Sequence, residues 1–366
     1  MLEKKPIINL KTFLSFTLLF FVQNMGIGQY YLATPKKDAS IKNTDFDIVS
    51  VEFDTKSTFV GQVFTADKQK QNIGFRKSIS KSIEDYYKLY NSGKKVKVKI
   101  IVKDFTVTET LSNQNSISGN IKYEIEAYFE YEEKSTKFCN SRNSAKYSRT
   151  LQASMLPNVE KQITETLDNG LKFIIGYIKN SKSNLEAFAT DSKVTIKPFY
   201  AKPTIDTVYY QQRKVTWADF NGPVRNNHQY GAAIFTSFGF DSKLTVENNV
   251  IIAEITPKVY TDKNMSWAKP EIKTSYALSH EQLHFDICYL NTLRFLQKIK
   301  TFKEDTRDDL ISRIQYEYLE FYRTTHKMQT QYDEETNHSL VNAKQKEWED
   351  KIRLQIKQID TQQIFD

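Results

Sequence analysis

At 366 residues, 39% of them apolar and 45 of them Phe or Tyr (24 and 21), the chain can build two cores, which excludes a disordered protein. Its formal net charge is +8, and setting aside three lysines and one glutamate of an expected leader (Glu3, Lys4, Lys5, Lys11) lowers it by two. The remaining Lys and Arg are interspersed with Asp and Glu and come with no nucleic-acid motif, so they read as solvated surface and exclude a nucleic-acid partner.

The first residues look like a targeting segment. Lys4, Lys5 and Lys11 precede an apolar run, Phe13 to Val22, that is well short of the roughly 20 residues a spanning helix needs. Gly26-Ile27-Gly28 offers small residues to a signal peptidase, so residues 1–28 are expected to be removed before Gln29, with an uncleaved anchor as the alternative. No cysteine stands near that point to carry a lipid anchor. The expectation is an exported chain, periplasmic or extracellular, with no stable membrane insertion once the leader is cleaved.

Residues 29–195 read as an α+β domain of helices packed on an antiparallel sheet. Partial alternation over Asp47 to Phe64 suggests one or two short strands. Phe75, Ile79, Ile83, Tyr86 and Tyr90 then recur at helical spacing, predicting a helix from Asn72 to Tyr90 that Asn91-Ser92-Gly93 stops. Lys95 to Leu111 and Ile121 to Tyr131 alternate as the arms of a hairpin around a polar loop, Ser112 to Asn120. A shorter strand is expected over Ala145 to Ala153. A second helix opens at Pro157 and buries Val159, Ile163, Leu167 and Leu171. Nothing in this domain has the pattern of a reactive site, and a cell-envelope partner or a bracing role are its ordinary options.

Pro198 and Pro203 mark residues 196–207 as a linker, and residues 208–366 form the second domain. Strands are expected at Val208 to Tyr210, at Gly231 to Phe240 and at Val250 to Val259, with the run Arg213 to Pro223 ending in a turn. Next comes Ser279-His280-Glu281-Gln282-Leu283-His284-Phe285-Asp286, which holds two of the five histidines. On a helix at about 100° per residue, His280 and His284 share a face and Glu281 sits beside it. Two imidazoles on adjacent turns can chelate zinc, and the carboxylate reaches the water that such a metal polarises. The pattern should arise by chance in roughly one such sequence in a few hundred. Thr274 or Ser275 could cap this helix, as could a box formed by Ser279 and Gln282. A long helix follows over Asp305 to Asn337, with Leu310, Ile314, Tyr318, Phe321, Thr325, Met328 and Tyr332 as its packing seam, and a last one over Val341 to Ile359. Cys139 and Cys288 have no metal-ligand spacing, and Cys288 reads as a small buried residue.

Several blocks of the second domain resemble a bacterial family of predicted secreted zinc-dependent proteases. They are Val215-Thr216-Trp217-Ala218-Asp219-Phe220-Asn221-Gly222, Ala232-Ala233, Ser266-Trp267, the stretch His280 to Ile287, Gln331 to His338, and Gln345-Lys346-Glu347-Trp348. The resemblance covers about residues 208 to 358. It implies a zincin-like domain, a small sheet plus long helices, that works as a secreted or periplasmic zinc peptidase on peptide or protein substrates, with His280 and His284 as ligands and Glu281 as catalyst. Where the family has glycine after the last histidine, this chain has Ser339. Such a site takes three protein ligands, and the motif supplies two. Asp286 lies about 240° around the helix from His280, His228 sits in a polar loop, and His326 flanks the seam. His338 is therefore the expected third zinc ligand, with Glu334, Glu335 and Asp333 as alternatives. Tyr332 is a candidate hydrogen-bond donor to the reacting carbonyl, the alternative being the end of the packing seam. The rival readings are a zinc-stapled interaction protein of the cell envelope and an amidase acting on cell-wall peptide.

Overall fold

The computed structural model describes residues 29–53, 57–131, 134–152, 156–202, 204–224 and 230–365. The expected leader, residues 1–28, and His228 lie outside them. The chain divides into two compact units, with the division after Ile174.

The first unit is a mixed sheet with helices. Its strands are β1 (Gln29–Tyr31), β2 (Asp47–Phe53), β3 (Phe59–Phe64), β4 (Lys70–Gly74), β5 (Lys97–Asn113), β6 (Ser116–Tyr131) and β7 (Lys134–Thr150). They run in the order β1-β4-β3-β5-β6-β7, and β2 also pairs with β5. The sheet is not purely antiparallel as expected, because β1–β4, β2–β5 and β3–β5 are parallel. The helix expected from Asn72 is shorter: α1 is Ile79–Tyr87, capped by Ser78, and residues 70–74 belong to β4. Gly74 closes β4 opposite Phe59 of β3, where a Cβ would lie 2.1 Å from the Thr58 carbonyl oxygen. The expected polar loop Ser112 to Asn120 is mostly strand, closing at Gln114-Asn115, because Ile117 and Ile121 reach the core from alternate positions. β7 likewise starts earlier than Ala145 and pairs with the whole of β6. The helix α2 (Leu156–Ser181), within which the division falls, buries Val159, Ile163, Leu167, Leu171 and Ile174, as its periodicity predicts.

The second unit begins before the expected linker. β8 (Asp191–Ile196) pairs in parallel with β11 (Val250–Ala268) and buries Ser192, Val194 and Ile196. Three buried residues in six are too few to stand out beside Pro198 and Pro203, so sequence reading left this strand in the first domain. β9 (Thr207–Tyr209) and β10 (Ala232–Glu247) pair antiparallel with β11. Asn248 and Asn249, at φ 52° and 63°, make the two-residue turn that joins β10 to β11. The run Arg213 to Pro223 is not a strand. It holds a short 3₁₀ turn, Trp217–Asp219, in a reciprocal cap with Thr216.

Four helices complete the unit: α3 (Ser275–Ile299), α4 (Arg307–Thr336), α5 (Asn342–Gln358) and α6 (Thr361–Ile364). Thr274 caps α3, its hydroxyl accepting from Ala277 N–H at 3.1 Å. α3 packs on both sides. Phe285, Cys288, Leu293 and Leu296 join the sheet residues Val194, Phe238 and Ile255, while Leu283, Ile287 and Leu290 join Tyr332 of α4 and Trp348 and Ile352 of α5. The seam of α4 is divided between these cores: Leu310, Ile314, Tyr318 and Phe321 go to the first, Met328 and Tyr332 to the second. Cys288 is buried and unpaired, and burial pushes its thiol up to about 12.

Candidate metal centre

A helix buried on two sides has few positions left for polar groups, and α3 places His280, Glu281 and His284 together. All three are buried, with 5%, 6% and 8% of their surfaces exposed. The next helix brings the complement. Gln329 and Asp333, four apart, form a polar edge beside the α4 seam. Gln329 Nε2 donates to the His284 carbonyl at 3.1 Å and to Thr236 Oγ1 at 2.9 Å, which ties α4 to α3 and to β10. Asp333 Oδ1 then lies 3.1 Å from His280 Nε2 and 3.0 Å from His284 Nε2. Among the described residues His280, His284 and Asp333 form a potential metal-holding group, their ligand atoms all within 4.8 Å of one another. Burial pushes the Asp333 carboxyl up, but hydrogen bonds to the two imidazoles outweigh it and hold the group well below the usual carboxylate range.

His338 reaches the same place by another route. Asn337, His338 and Ser339 are all left-handed, at φ 45°, 49° and 70°. For residues other than glycine this costs about 1–2 kcal/mol each, somewhat less for Asn. The position where the resembling family has glycine therefore does use φ > 0 here. Backbone bonds hold the turn: His338 N–H donates to Asp333 O at 2.9 Å, and Val341 N–H to Thr336 O at 2.9 Å. His338 Nδ1 ends 3.6 Å from Asp333 Oδ1, beside the group of three and not within it. Burial lowers the His338 pKa.

Tyr332 is fully buried and faces away from solvent. Its ring stacks on His280 at 4.6 Å, and its hydroxyl donates to the His280 carbonyl at 3.4 Å. The structure thus gives it a supporting place under the imidazoles, where the aromatic seam ends. Beside the Nε2 contact with Asp333, ring stacking is what supports His280, whose Nδ1 is buried without a hydrogen-bond partner. Of the other candidates, Glu334 and Glu335 are exposed, and Glu335 accepts from Trp348 Nε1 at 2.8 Å. His326 is exposed and contacts Thr330. Asp286 lies on the far side of α3, as its rotation predicts, accepting from Tyr210 and Gln282.

Glu281 is held from the sheet. The register of β10 on β11 slips between Ala233 and Phe235, whose partners are Trp267 and Asp262. The slip frees Ile234 N–H, which donates to Glu281 Oε2 at 3.0 Å. Ser266, completely buried, holds the irregularity open. Its hydroxyl accepts from Phe235 N–H at 2.9 Å and donates to the Asp262 carbonyl at 2.6 Å. Burial, with Asp333 nearby, pushes the Glu281 carboxyl up to about 7, against the pull of His280 and the Ile234 N–H. Other residues of the resemblance brace α3, its cap and the strand β11 beside it. Val215 N–H donates to Gln282 Oε1 at 2.9 Å, Trp217 Nε1 donates to the Thr274 carbonyl at 3.1 Å, and Gly222 N–H donates to the Ser266 carbonyl at 2.7 Å.

No family model matches the chain, and no curated protein matches it. Among solved structures, a Xanthomonas campestris protein of family model DUF330 is similar over 42% of this chain and 98% of its own, at 12% identity and a TM-score of 0.27. So slight a likeness assigns neither a fold nor an activity.

Sequence reading placed His280, His284 and Glu281 from one short pattern. Asp333 is there only an alternative third ligand, Ser266 only part of the resemblance, and Ile234 only a strand position. Asp333 had one legible signal, its four-residue spacing from Gln329 along the flank of an apolar seam. Ile234 had none, since it acts through its backbone.

Proposed function

We propose that the second unit is a zinc-dependent metallopeptidase of an exported protein, with His280, His284 and Asp333 as the residues that hold the metal. The observation that carries this reading is the gathering of two imidazole nitrogens and one carboxylate oxygen within 4.8 Å, with the buried carboxylate of Glu281 on the adjoining position of α3. The donor set fits zinc, which takes imidazole nitrogen and carboxylate oxygen in a site with three protein ligands. Bound there, zinc would supply a Lewis acid that brings the pKa of water to about 7 and polarises a carbonyl.

The protein's own residues would do the rest. Glu281, held by Ile234 N–H and raised toward neutrality, takes a proton from the attacking water as its oxygen bonds to the scissile carbon. It returns that proton to the amide nitrogen as the C–N bond breaks, leaving a carboxylic acid and an amine. Tyr332 and Gln329 keep the two imidazoles and α4 in register while this happens. The intact base beside the group favours hydrolysis over a purely structural zinc site, which has no use for a carboxylate there. Export rests on the sequence of residues 1–28. Among the described residues no helix is long and apolar enough to cross a membrane.

The test is metal analysis of the purified chain, followed by digestion of casein and of peptidoglycan with and without chelator. Bound zinc and chelator-sensitive cleavage of casein support the reading. Cleavage of peptidoglycan alone would replace it with a cell-wall amidase, and a metal-free chain would sink it.

A further inference from the structure

Hydrolysis at this site needs a hydrogen-bond donor where negative charge develops on the carbonyl oxygen. Tyr332 does not supply it, because its hydroxyl is buried against the His280 carbonyl. His280 and His284 turn their Nε2 atoms toward Asp333, and their side chains are only 6% and 10% exposed. His338 differs from both. Its side chain is 33% exposed, beside the 29% exposed side chain of Asp333, so these two residues form the open side of the group.

The turn that carries His338 is built to hold it there. Three consecutive left-handed residues swing the chain back after α4, and the His338 N–H is bonded to the carbonyl of Asp333 itself. The imidazole and the carboxylate are thereby fixed to one another, with Nδ1 at 3.6 Å from Oδ1. The ring of Tyr230 lies against the imidazole, centroids 3.8 Å apart. The imidazole makes no hydrogen bond within the described residues, which leaves a ring N–H free to donate. A fourth protein ligand would also close a site whose chemistry needs one open position.

We infer that His338 is not a metal ligand but the hydrogen-bond donor to the substrate's carbonyl oxygen, and that Asp333 completes the ligand set. The inference rests on the peptidase reading above and adds a second catalytic residue to it. No bond to His338 is made or broken. Its ring N–H points a dipole at the oxygen as the carbonyl becomes tetrahedral.

The experiment uses the full mature chain and the variants His338→Ala, His338→Gln and Asp333→Ala. Zinc affinity is measured by competition with a chromophoric chelator, and the ligand field is read from the visible spectrum of the cobalt-substituted protein. Rates are measured on a fluorogenic peptide selected by cleavage with wild type. His338→Ala should keep zinc affinity within about threefold and keep the cobalt spectrum, while kcat falls about 10²- to 10³-fold at nearly constant KM, the scale for losing one such donor. His338→Gln, which retains a neutral N–H, should recover part of kcat, and it carries the test if the alanine variant does not fold. Asp333→Ala should weaken zinc binding by more than about a hundredfold, beyond the range for outer-shell partners. A large loss of zinc affinity with a changed cobalt spectrum in either His338 variant would make His338 a ligand and overturn the inference. Wild-type kcat in both His338 variants would overturn it and leave the peptidase reading standing. A wild-type chain that binds zinc and cleaves no peptide would overturn both.

Discussion

Each unit buries a polar cluster, and the two are built to opposite ends. In the first unit Glu109 and Arg149 are each 5% exposed and satisfy one another almost completely. Arg149 Nε and Nη2 donate to the two carboxylate oxygens at 2.8 and 2.7 Å. Tyr147 Oη and Phe64 N–H fill the remaining acceptor sites, both at 2.8 Å, and Arg149 Nη2 also reaches the Phe64 carbonyl at 2.6 Å. The result is a staple joining β3, β5 and β7. In the second unit three imidazoles crowd one Asp333 carboxylate, a buried Glu281 has a single backbone donor, and His280 Nδ1 has no partner. A cluster that only stabilises closes its hydrogen bonds. One that leaves buried acceptors and donors short, and one side open, keeps them for something else.

The largest expected effect tests the second cluster. Glu281→Gln preserves size and removes the proton acceptor, so peptide hydrolysis should fall by at least about two orders of magnitude with zinc content unchanged. The folded chain should lose no stability, because a neutral amide replaces a carboxyl whose ionisation burial already opposes. Wild-type turnover in this variant would remove Glu281 from the chemistry.

The same removal in the first cluster should act on folding. Arg149→Met leaves Glu109 buried without its counter-ion, with an expected loss of about 3–5 kcal/mol in denaturant unfolding of the chain. Adding Glu109→Leu should restore much of it, since an apolar pair of similar volume is commonly neutral or stabilising. If the double variant is no better than the single one, the cluster is not the closed staple described here.

A smaller effect is expected between these extremes, at a residue that serves both fold and site. Ser266→Ala deprives Phe235 N–H of its acceptor in a fully buried setting, a cost of about 1–3 kcal/mol. Because the irregular register of β10 also presents Ile234 N–H to Glu281, kcat should drop by more than stability alone explains, and Ser266→Thr should recover part of it. Equal losses in stability and in kcat would reduce Ser266 to a structural residue.

The smallest effect concerns pH. Burial raises the Asp219 carboxyl, but hydrogen bonds from Arg213 and Thr216 outweigh it and hold the group at about 2, below the ordinary 3.8. A lowered carboxylate stabilises the fold fully above its unfolded value and loses that contribution as pH falls toward about 2. With Arg213 45% exposed, we expect about 1–2 kcal/mol, seen as an acid limb in thermal unfolding that Asp219→Asn removes. An unchanged acid limb in that variant would assign the limb to other carboxylates.

Local pattern carried a good part of this molecule. The helix α3, the seam of α4 and the long hairpin of β5 and β6 were legible because each repeats an apolar side chain at a fixed period. The pair His280 and His284 with Glu281 was legible because helix geometry alone brings residues four apart to one face. Short strands were legible where alternation survives, as over Asp47 to Phe64, where β2 and β3 form. Two others were not: the helical spacing that starts at Phe75 masks β4, and Pro198 and Pro203 mask β8, which takes its pairing from β11, distant in sequence. The third member of the candidate centre belongs to the same class. Asp333 and His338 are near neighbours in sequence, and both carry groups that could serve. Which one meets the two imidazoles depends on the packing of α4 against α3 and on a left-handed turn of three residues. The sequence by itself therefore determined the helix that carries His280 and His284 and the carboxylate of Glu281 beside them. Only the tertiary structure decided what completes the group, because that choice is made by distances between elements that no local period encodes.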